Sequence, residues 1–175
     1  MSNRARTRLG QRSPEQADLA QIEAVYRRSV ARLRRVAAAI IGDREAALDA
    51  VQAGFSTAVR RRAGFRGDGP LDAWVWRIVV NEARDVRARL FACGSAANEA
   101  PGNGPAAHGD GARDEIMSAL AELSERRRLV VFLRYYADFD HPTIARVLAI
   151  NEGTVAVTLY QAQTRLRELL EEVSP

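Results

Sequence analysis

LSERRRLVVFLRYYADFDHPTIARVLAINEGTVAVTLYQAQTRLREL, from Leu123 to Leu169, decides how the rest of this chain is read. Ser124 stands where a cap opens one helix, His141 to Leu148 reads as a short second helix, Ala149 to Asn151 as a turn, and a final helix starts at Glu152. Ile144 and Leu148 lie one turn apart on the short helix, and Ala145 is small enough for the next helix to cross closely against it. On the last helix Val155, Leu159, Ala162, Leu166 and Leu170 repeat at helical spacing and face a core. Thr154, Val157, Thr158, Gln161 and Thr164 then share the opposite face. Asn151 can cap this helix, and Gly153 leaves its first turn open to a phosphate. The layout is a helix-turn-helix, the arrangement that lays its second helix in the major groove of duplex DNA. An ordinary helical hairpin is the plain competing reading.

Working outward, 175 residues suit one domain or two small ones, and a 47% hydrophobic content supplies helical cores. All 26 basic residues are arginine. A GC-rich genome is the simplest source of that bias, although the planar guanidinium also suits phosphate contacts. Cys93 is the single cysteine, so it forms no internal disulfide, and with two distant histidines it makes no metal cluster. A reducing, cytoplasmic setting fits. No apolar run approaches the ~20 residues of a membrane span, and the Arg-rich start lacks the apolar stretch of a secretory signal. His141 with Asp138 and Asp140 hints at acid-base chemistry, but the group sits at a helix start, where Asp caps are routine. Without a Ser/His/Asp order, a phosphate-binding loop or zinc spacing, no enzyme, cofactor, metal or small-molecule substrate is expected.

Charge divides the chain unevenly. Residues 1–92 hold 18 Arg against 10 acids, whereas residues 113–175 hold 8 Arg against 10 acids, so the basic footprint precedes the helix-turn-helix. Between them, residues 93–112 (CGSAANEAPGNGPAAHGDGA) are crowded with Gly, Ala and Pro and read as a flexible linker in which His108 is a solvated residue. Residues 1–13 read as a disordered basic arm, leaving domains at 14–92 and 113–175.

The front domain reads as three helices. The first, about Pro14 to Ile41, presents Leu19, Ile22, Tyr26, Val30, Leu33 and Ala37 on one face and ends at Gly42. The second follows Asp43 to about Arg62, burying Leu48, Val51, Phe55 and Ala58, with Asp49, Gln52 and Ser56 along an exposed flank. A loop with Phe65 and Arg66 at its tip leads to the third helix, started by Asp68 and Pro70 and extending to about Leu90. There Leu71, Trp74, Ile78, Glu82 and Asp85 share one side, and Trp76, Arg77, Val80, Asn81, Arg84 and Arg87 the other. Trp74 is expected in the core. An outward side mixing Trp, Arg and Asn suits unpaired bases, through stacking, cation contacts and hydrogen bonds to base edges. A core position or a protein partner would equally account for Trp76.

GDREAALDAVQAGFSTAVRRR, then LDAWVWRIVVNEARDVRAR, and after the linker LSERRRLVVFLRYYADFDHPTIARVLAINEGTVAVTL together resemble the extracytoplasmic-function group of bacterial sigma factors. The resemblance covers about Tyr26 to Leu170, with two independent motifs in the family's order. It implies an all-α protein: an N-terminal helical bundle like sigma region 2, a linker, and a C-terminal helix-turn-helix domain like sigma region 4. It also implies a function: binding the RNA polymerase core through the clamp of its largest subunit and its flap, melting the minus-10 promoter element in front, and reading the minus-35 duplex behind.

Position by position, the family's acidic-Leu-Val-Gln signature is matched by Asp49, Ala50, Val51 and Gln52, which makes Asp49, Gln52 and Ser56 the implied polymerase contacts. Trp74, Val75, Ile78 and Asn81 match its Trp, hydrophobic and Ile-x-x-Asn pattern. Phe65, Arg66, Trp76, Arg77, Asn81, Arg84 and Arg87 are then the implied minus-10 contacts, with Phe65 and Arg66 in the loop that pockets an extruded base. The implied minus-35 contacts are Thr154, Val157, Thr158, Gln161 and Arg165. Here the chain departs from the family: the usual basic residues of the recognition helix are Ala156, Val157 and Thr158, then Gln161 and Gln163, and the usual Glu of the preceding helix is Thr143. Arg126, Arg127 and Arg128 can supply backbone charge, although a solvated run is the ordinary reading. An anti-sigma protein is a further implied partner, sharing the Asp49 and Gln52 flank and Trp76. Two alternatives stay open: a degenerate sigma-like protein that binds core without full promoter specificity, and a dimeric helix-turn-helix regulator.

Overall fold

A computed structural model describes residues 17–92 and 111–173, and no strand occurs among them. The arm expected at 1–13 and nearly all of the linker expected at 93–112 lie outside the described residues. Three long helices make the front half: α1 (Leu19–Ile41), α2 (Arg44–Arg61) and α3 (Leu71–Ala92). Local chemistry sets their ends. Asp43 Oδ1 accepts from the Ala46 N–H at 2.7 Å to start α2, and Gly42 closes α1 at φ 87°, a conformation that a residue with a Cβ adopts only with strain.

The three helices pack mutually around Ile22, Val25, Leu33, Val36, Val51, Val75, Val79 and Val80, all almost completely shielded from water. Each such side chain contributes ~1.5–3 kcal/mol by leaving water. The exposed α1 pair Arg27–Glu23 contributes ~0–1 kcal/mol, so apolar burial decides the bundle. Gly54 is where α2 crosses α3 most tightly: a Cβ there would lie 2.8 Å from Val79 Cγ2 and 2.9 Å from Val79 Cα. Arg28 of α1 ties to Asp72 at the start of α3, its Nε donating to Oδ1 at 2.9 Å. That hydrogen bond raises the Arg28 pKa above its ordinary value.

The core stripe of α1 is rotated from the one expected. Val25, Ser29, Val36 and Ile40 are buried, while Leu19 and Tyr26 are largely exposed. Two neighbours, α2 and α3, pack against α1, so its buried strip is wider than one apolar stripe and takes in a serine. Tyr26 covers the edge of the core instead, set edge-on to Phe55 at 4.8 Å between centroids. On α2 the expected Leu48 is only half-buried, and Ala47 and Ala50 are the buried residues that allow close packing.

The rear half comprises α4 (Gly111–Glu122), α5 (Glu125–Val131), α6 (His141–Leu148) and α7 (Glu152–Val173). A π-helical stretch, Phe132–Tyr136, continues α5, a feature not expected from the sequence. Ser124 occupies the cap position of α5 but makes no side-chain cap bond. Asp140 Oδ1 accepts from the Thr143 N–H at 2.9 Å to start α6. Hydrogen bonding from Thr143, side chain first and then backbone, holds the Asp140 carboxyl below its ordinary range. Ala149 turns the chain at φ 54°, and Asn151 Oδ1 caps α7 by accepting from the Thr154 N–H at 2.7 Å. Ile144, Val147, Leu133, Val155 and Ala162 form this half's core. The two halves touch, chiefly through α3 against α6 and more lightly through α1 against α5.

Candidate nucleic-acid interface

The flank of α2 stands as expected: Asp49, Gln52 and Ser56 are all exposed along one side. They form a continuous polar strip on a helix whose other side is committed to the bundle. Its chemistry suits a protein surface offering complementary donors.

The face of α3 is different. Arg77, Asn81 and Arg84 are exposed, as expected of a surface that would meet DNA. Trp76 is only 1% exposed, and the expectation that it projects outward is overturned. The helix buries Ala73, Val75, Trp76, Val79, Val80 and Ala83, so the inner side is turned toward Trp76 and leaves Trp74 half-buried at the edge. The physical reason is double coverage. One side of α3 meets α1 and α2, and another meets the rear half, where Phe139 lies edge-on to Trp76 at 5.1 Å between centroids and 76° between planes. Trp74 instead packs against Phe65 at 5.6 Å. Phe65 is therefore half-buried rather than free at its loop tip, and Arg66 beside it is exposed.

Arg84 and Arg87 also meet the rear half. Arg84 Nε donates to Glu125 Oε1 at 2.8 Å, and Arg87 Nη1 to Glu125 Oε2 at 3.2 Å. Arg87 further lies over the Phe91 ring at 5.2 Å. Arg128, expected in a solvated run, is buried and donates to the Leu123 carbonyl at 3.2 Å. Burial lowers its pKa from the ordinary arginine value, with Arg87 adding to the drop and Glu125 opposing it. Two guanidinium groups, those of Arg84 and Arg87, thus share the one carboxylate of Glu125.

On α7 the expected minus-35 residues separate. Val157 (57% exposed), Gln161 and Arg165 face outward, and Thr154 is half-buried with its hydroxyl donating to Asn151 Oδ1 at 2.8 Å. Thr158 is 7% exposed, which corrects the expectation that it lies on the open face. One position before Leu159 and three after Val155, it falls at the border of the apolar stripe, and packing against α5 and α6 draws it in. Arg127 Nη2 donates to Gln161 Oε1 at 3.1 Å, and Arg165 Nη1 to Glu168 Oε2 at 3.1 Å, so the polar groups of this face are already engaged with neighbours. The aromatic of the open face is Tyr160, 70% exposed, which sequence reasoning missed. Its position next to the Thr-Leu border, one helical turn before Thr164, was the available signal. Glu125 and Phe139 were missed as well. Phe139, a large aromatic between Asp138 and Asp140, is the kind of residue that a polar loop retains only if something covers it.

Among the described residues no group of His, Cys, Asp and Glu is placed to hold a metal ion, and no helix is long and apolar enough to cross a membrane.

Both halves match known families. Residues 25–90 match the description "Sigma-70 region 2", and residues 113–172 match "Sigma-70, region 4". The ECF RNA polymerase sigma factor SigL of Mycobacterium tuberculosis is 30% identical over 165 residues, covering 90% of this chain and 93% of the relative. The RNA polymerase sigma-E factor of Streptomyces antibioticus is 27% identical over 166 residues, covering 89% and 88%. Among solved structures, the sigma factor RpoE of Bartonella quintana, in complex with the anti-sigma factor NepR, shares the fold with a TM-score of 0.71 at 23% identity, covering 87% of this chain and 98% of that one. CnrH, in complex with the cytosolic domain of CnrY, does so with a TM-score of 0.66 at 24% identity, covering 90% and 92%. With both motifs in order along one all-helical chain, and with such a relative covered almost end to end, the chain belongs to the extracytoplasmic-function group of RNA polymerase sigma factors.

Proposed function

We propose that this sigma factor docks on the polymerase clamp through Asp49, Gln52 and Ser56 and captures the melted minus-10 strand with Arg66, Arg77, Asn81, Arg84 and Arg87. In the same scheme it reads the minus-35 duplex with Thr154, Val157, Gln161 and Arg165, without catalysis of its own and in the cytoplasm. The observation that carries this reading is the row Arg77, Asn81 and Arg84, exposed along α3 in the same chain as a capped recognition helix.

Energy supports a division of labour with the polymerase. Opening duplex DNA costs about 1.4 kcal/mol per base-pair step, and one base held on a protein stacking surface returns ~1–3 kcal/mol. Several opened steps exceed what this small surface returns, so the isolated chain binds promoter DNA weakly and needs core polymerase. The anti-sigma factor NepR bound to the structural neighbour RpoE supports such a partner as a regulator here too. The rear half, with 8 Arg against 10 acids and no charged residue from Thr154 to Thr164 of the recognition helix, favours an A/T-containing minus-35 site held with modest phosphate attraction.

The test is transcription in vitro with purified core polymerase on a pool of random promoter templates. Promoter-specific transcripts that appear only when the chain is added are expected. Core binding with no selected promoter would replace this reading with the degenerate, promoter-blind one.

A further inference from the structure

We propose that Arg127 of α5 is a specificity-determining residue of the minus-35 contact. Held against Gln161 on the open face of α7, it reads a guanine within an otherwise A/T-containing element. The inference rests on the reading of α7 as the minus-35 helix and adds a reader that belongs to a different helix.

Thr154, Val157 and Gln161 follow one line along α7, and no charged residue stands from Thr154 to Thr164. The cation on this face comes instead from α5. Arg127 Nη2 donates to Gln161 Oε1 at 3.1 Å, joining residues 34 positions apart. Arg127 is half-buried and Gln161 exposed, and Val157, one turn before Gln161, is exposed as well, so the pair lies on the uncovered part of the helix.

The charge of Arg127 is not spent on a carboxylate. Among the described residues it forms no ion pair. Glu125, the acid of α5, is taken by Arg84 and Arg87, and Glu168 of α7 is taken by Arg165. Gln161 therefore anchors the guanidinium without neutralising it, and a hydrogen bond to a charged donor is a firm anchor.

The chemistry of the pair selects the base. A guanidinium has N–H donors and no acceptor, so the Gln161 amide must turn its oxygen toward Arg127. What the pair offers a base edge is then N–H groups, from the Gln161 amide and from the remaining donors of Arg127. Guanine presents two acceptors in the major groove, N7 and O6, which the planar fork of arginine matches. Adenine presents N7 beside its N6 amino group, a donor that would confront the guanidinium.

The experiment uses holoenzyme assembled from core polymerase and the full chain, with a pool of duplex promoters randomised across the minus-35 element. Bound DNA is sequenced. The parent should enrich guanine at one position. Arg127→Ala should lower the preference for guanine over adenine there by about tenfold and leave the other positions unchanged. Arg127→Lys, which keeps the charge and loses the fork, should lose most of that preference while keeping most of the affinity. Arg126→Ala, at an exposed neighbour in the same run, should leave the preference intact.

A uniform loss of affinity in Arg127→Ala, with base preferences unchanged, overturns the proposal in favour of a phosphate contact. Adenine as the base whose enrichment depends on Arg127 also overturns it, and makes Arg127 a positioning residue for Gln161. An enriched minus-35 element that is indifferent to Arg127 removes the proposal and leaves the reading of α7 standing. A parent that enriches no minus-35 sequence removes that reading and the proposal together.

Discussion

The face of α3 and the face of α7 are both candidate DNA surfaces, and they are opposites in charge and access. The α3 face carries arginine but is partly occupied: Trp76 is covered by Phe139, and Arg84 and Arg87 are held by Glu125. The α7 face is open, with Val157 and Tyr160 exposed, but its polar groups are neutral or paired with neighbours. In this chain, positive charge and free access are therefore separated between the two candidate faces. Under the proposed function, electrostatics would draw DNA to the partly covered face of the front half, and shape would be left to select at the rear.

The sharpest way to break the contrast is to damage one half and ask whether the other follows. Ile144 is completely buried in the rear core, and Ile144→Ala should remove ~2–5 kcal/mol in urea unfolding. Amide hydrogen exchange should show α2 keeping its protection, and equal loss in α2 would mean that the halves stand or fall together. The matching change in front is Gly54→Ala, which forces α2 away from Val79 and should cost about 1–3 kcal/mol, read as a lower thermal midpoint.

Smaller effects sharpen the comparison at the recognition helix. Asn151→Ala removes the cap of α7 and should cost about 1 kcal/mol, with faster exchange at the Thr154 amide. Acid acts on the neighbouring cap with a defined sign. Because the Asp140 pKa is lowered in the folded chain, its contribution is present above the ordinary carboxylate range and is lost as pH falls through the lowered value. Protection of the Thr143 amide should therefore hold at neutral pH and fail only in strong acid, and loss near neutrality would assign the effect to another group. The smallest expected change is in salt dependence. Arg66→Ala should reduce the slope of holoenzyme–promoter affinity against salt by about one counterion. Binding of the whole chain to a minus-35 duplex should have a shallow slope, and one implying about six or more released counterions would contradict the neutral face of α7.

The helix-turn-helix was legible almost to the residue. His141–Leu148 and the start at Glu152 stand as the caps and periodicity require, because Asp140 and Asn151 act within three residues of themselves. The exposed flank of α2 was legible for the same reason: three polar residues on one side of a helix with an apolar opposite side have nowhere else to face. The inner face of α3 was not. Its apolar residues run nearly around the helix, so spacing alone cannot say which tryptophan turns inward, and the deciding neighbour, Phe139, lies 63 positions further on. Thr158 fell at a border where a small rotation of α7 changes its exposure.

Short-range chemistry was thus settled in the amino-acid order: all-helical character, helix ends, the basic front, the uncharged stretch Thr154–Thr164 of the recognition helix, and the two motifs that place the chain among sigma factors. Tertiary packing alone decided the burial of Trp76, the capture of Arg84 and Arg87 by Glu125, and the inward turn of Thr158. Caps and periodicity act over one or two helical turns, whereas a contact between distant halves depends on how two finished surfaces fit, which no local pattern encodes.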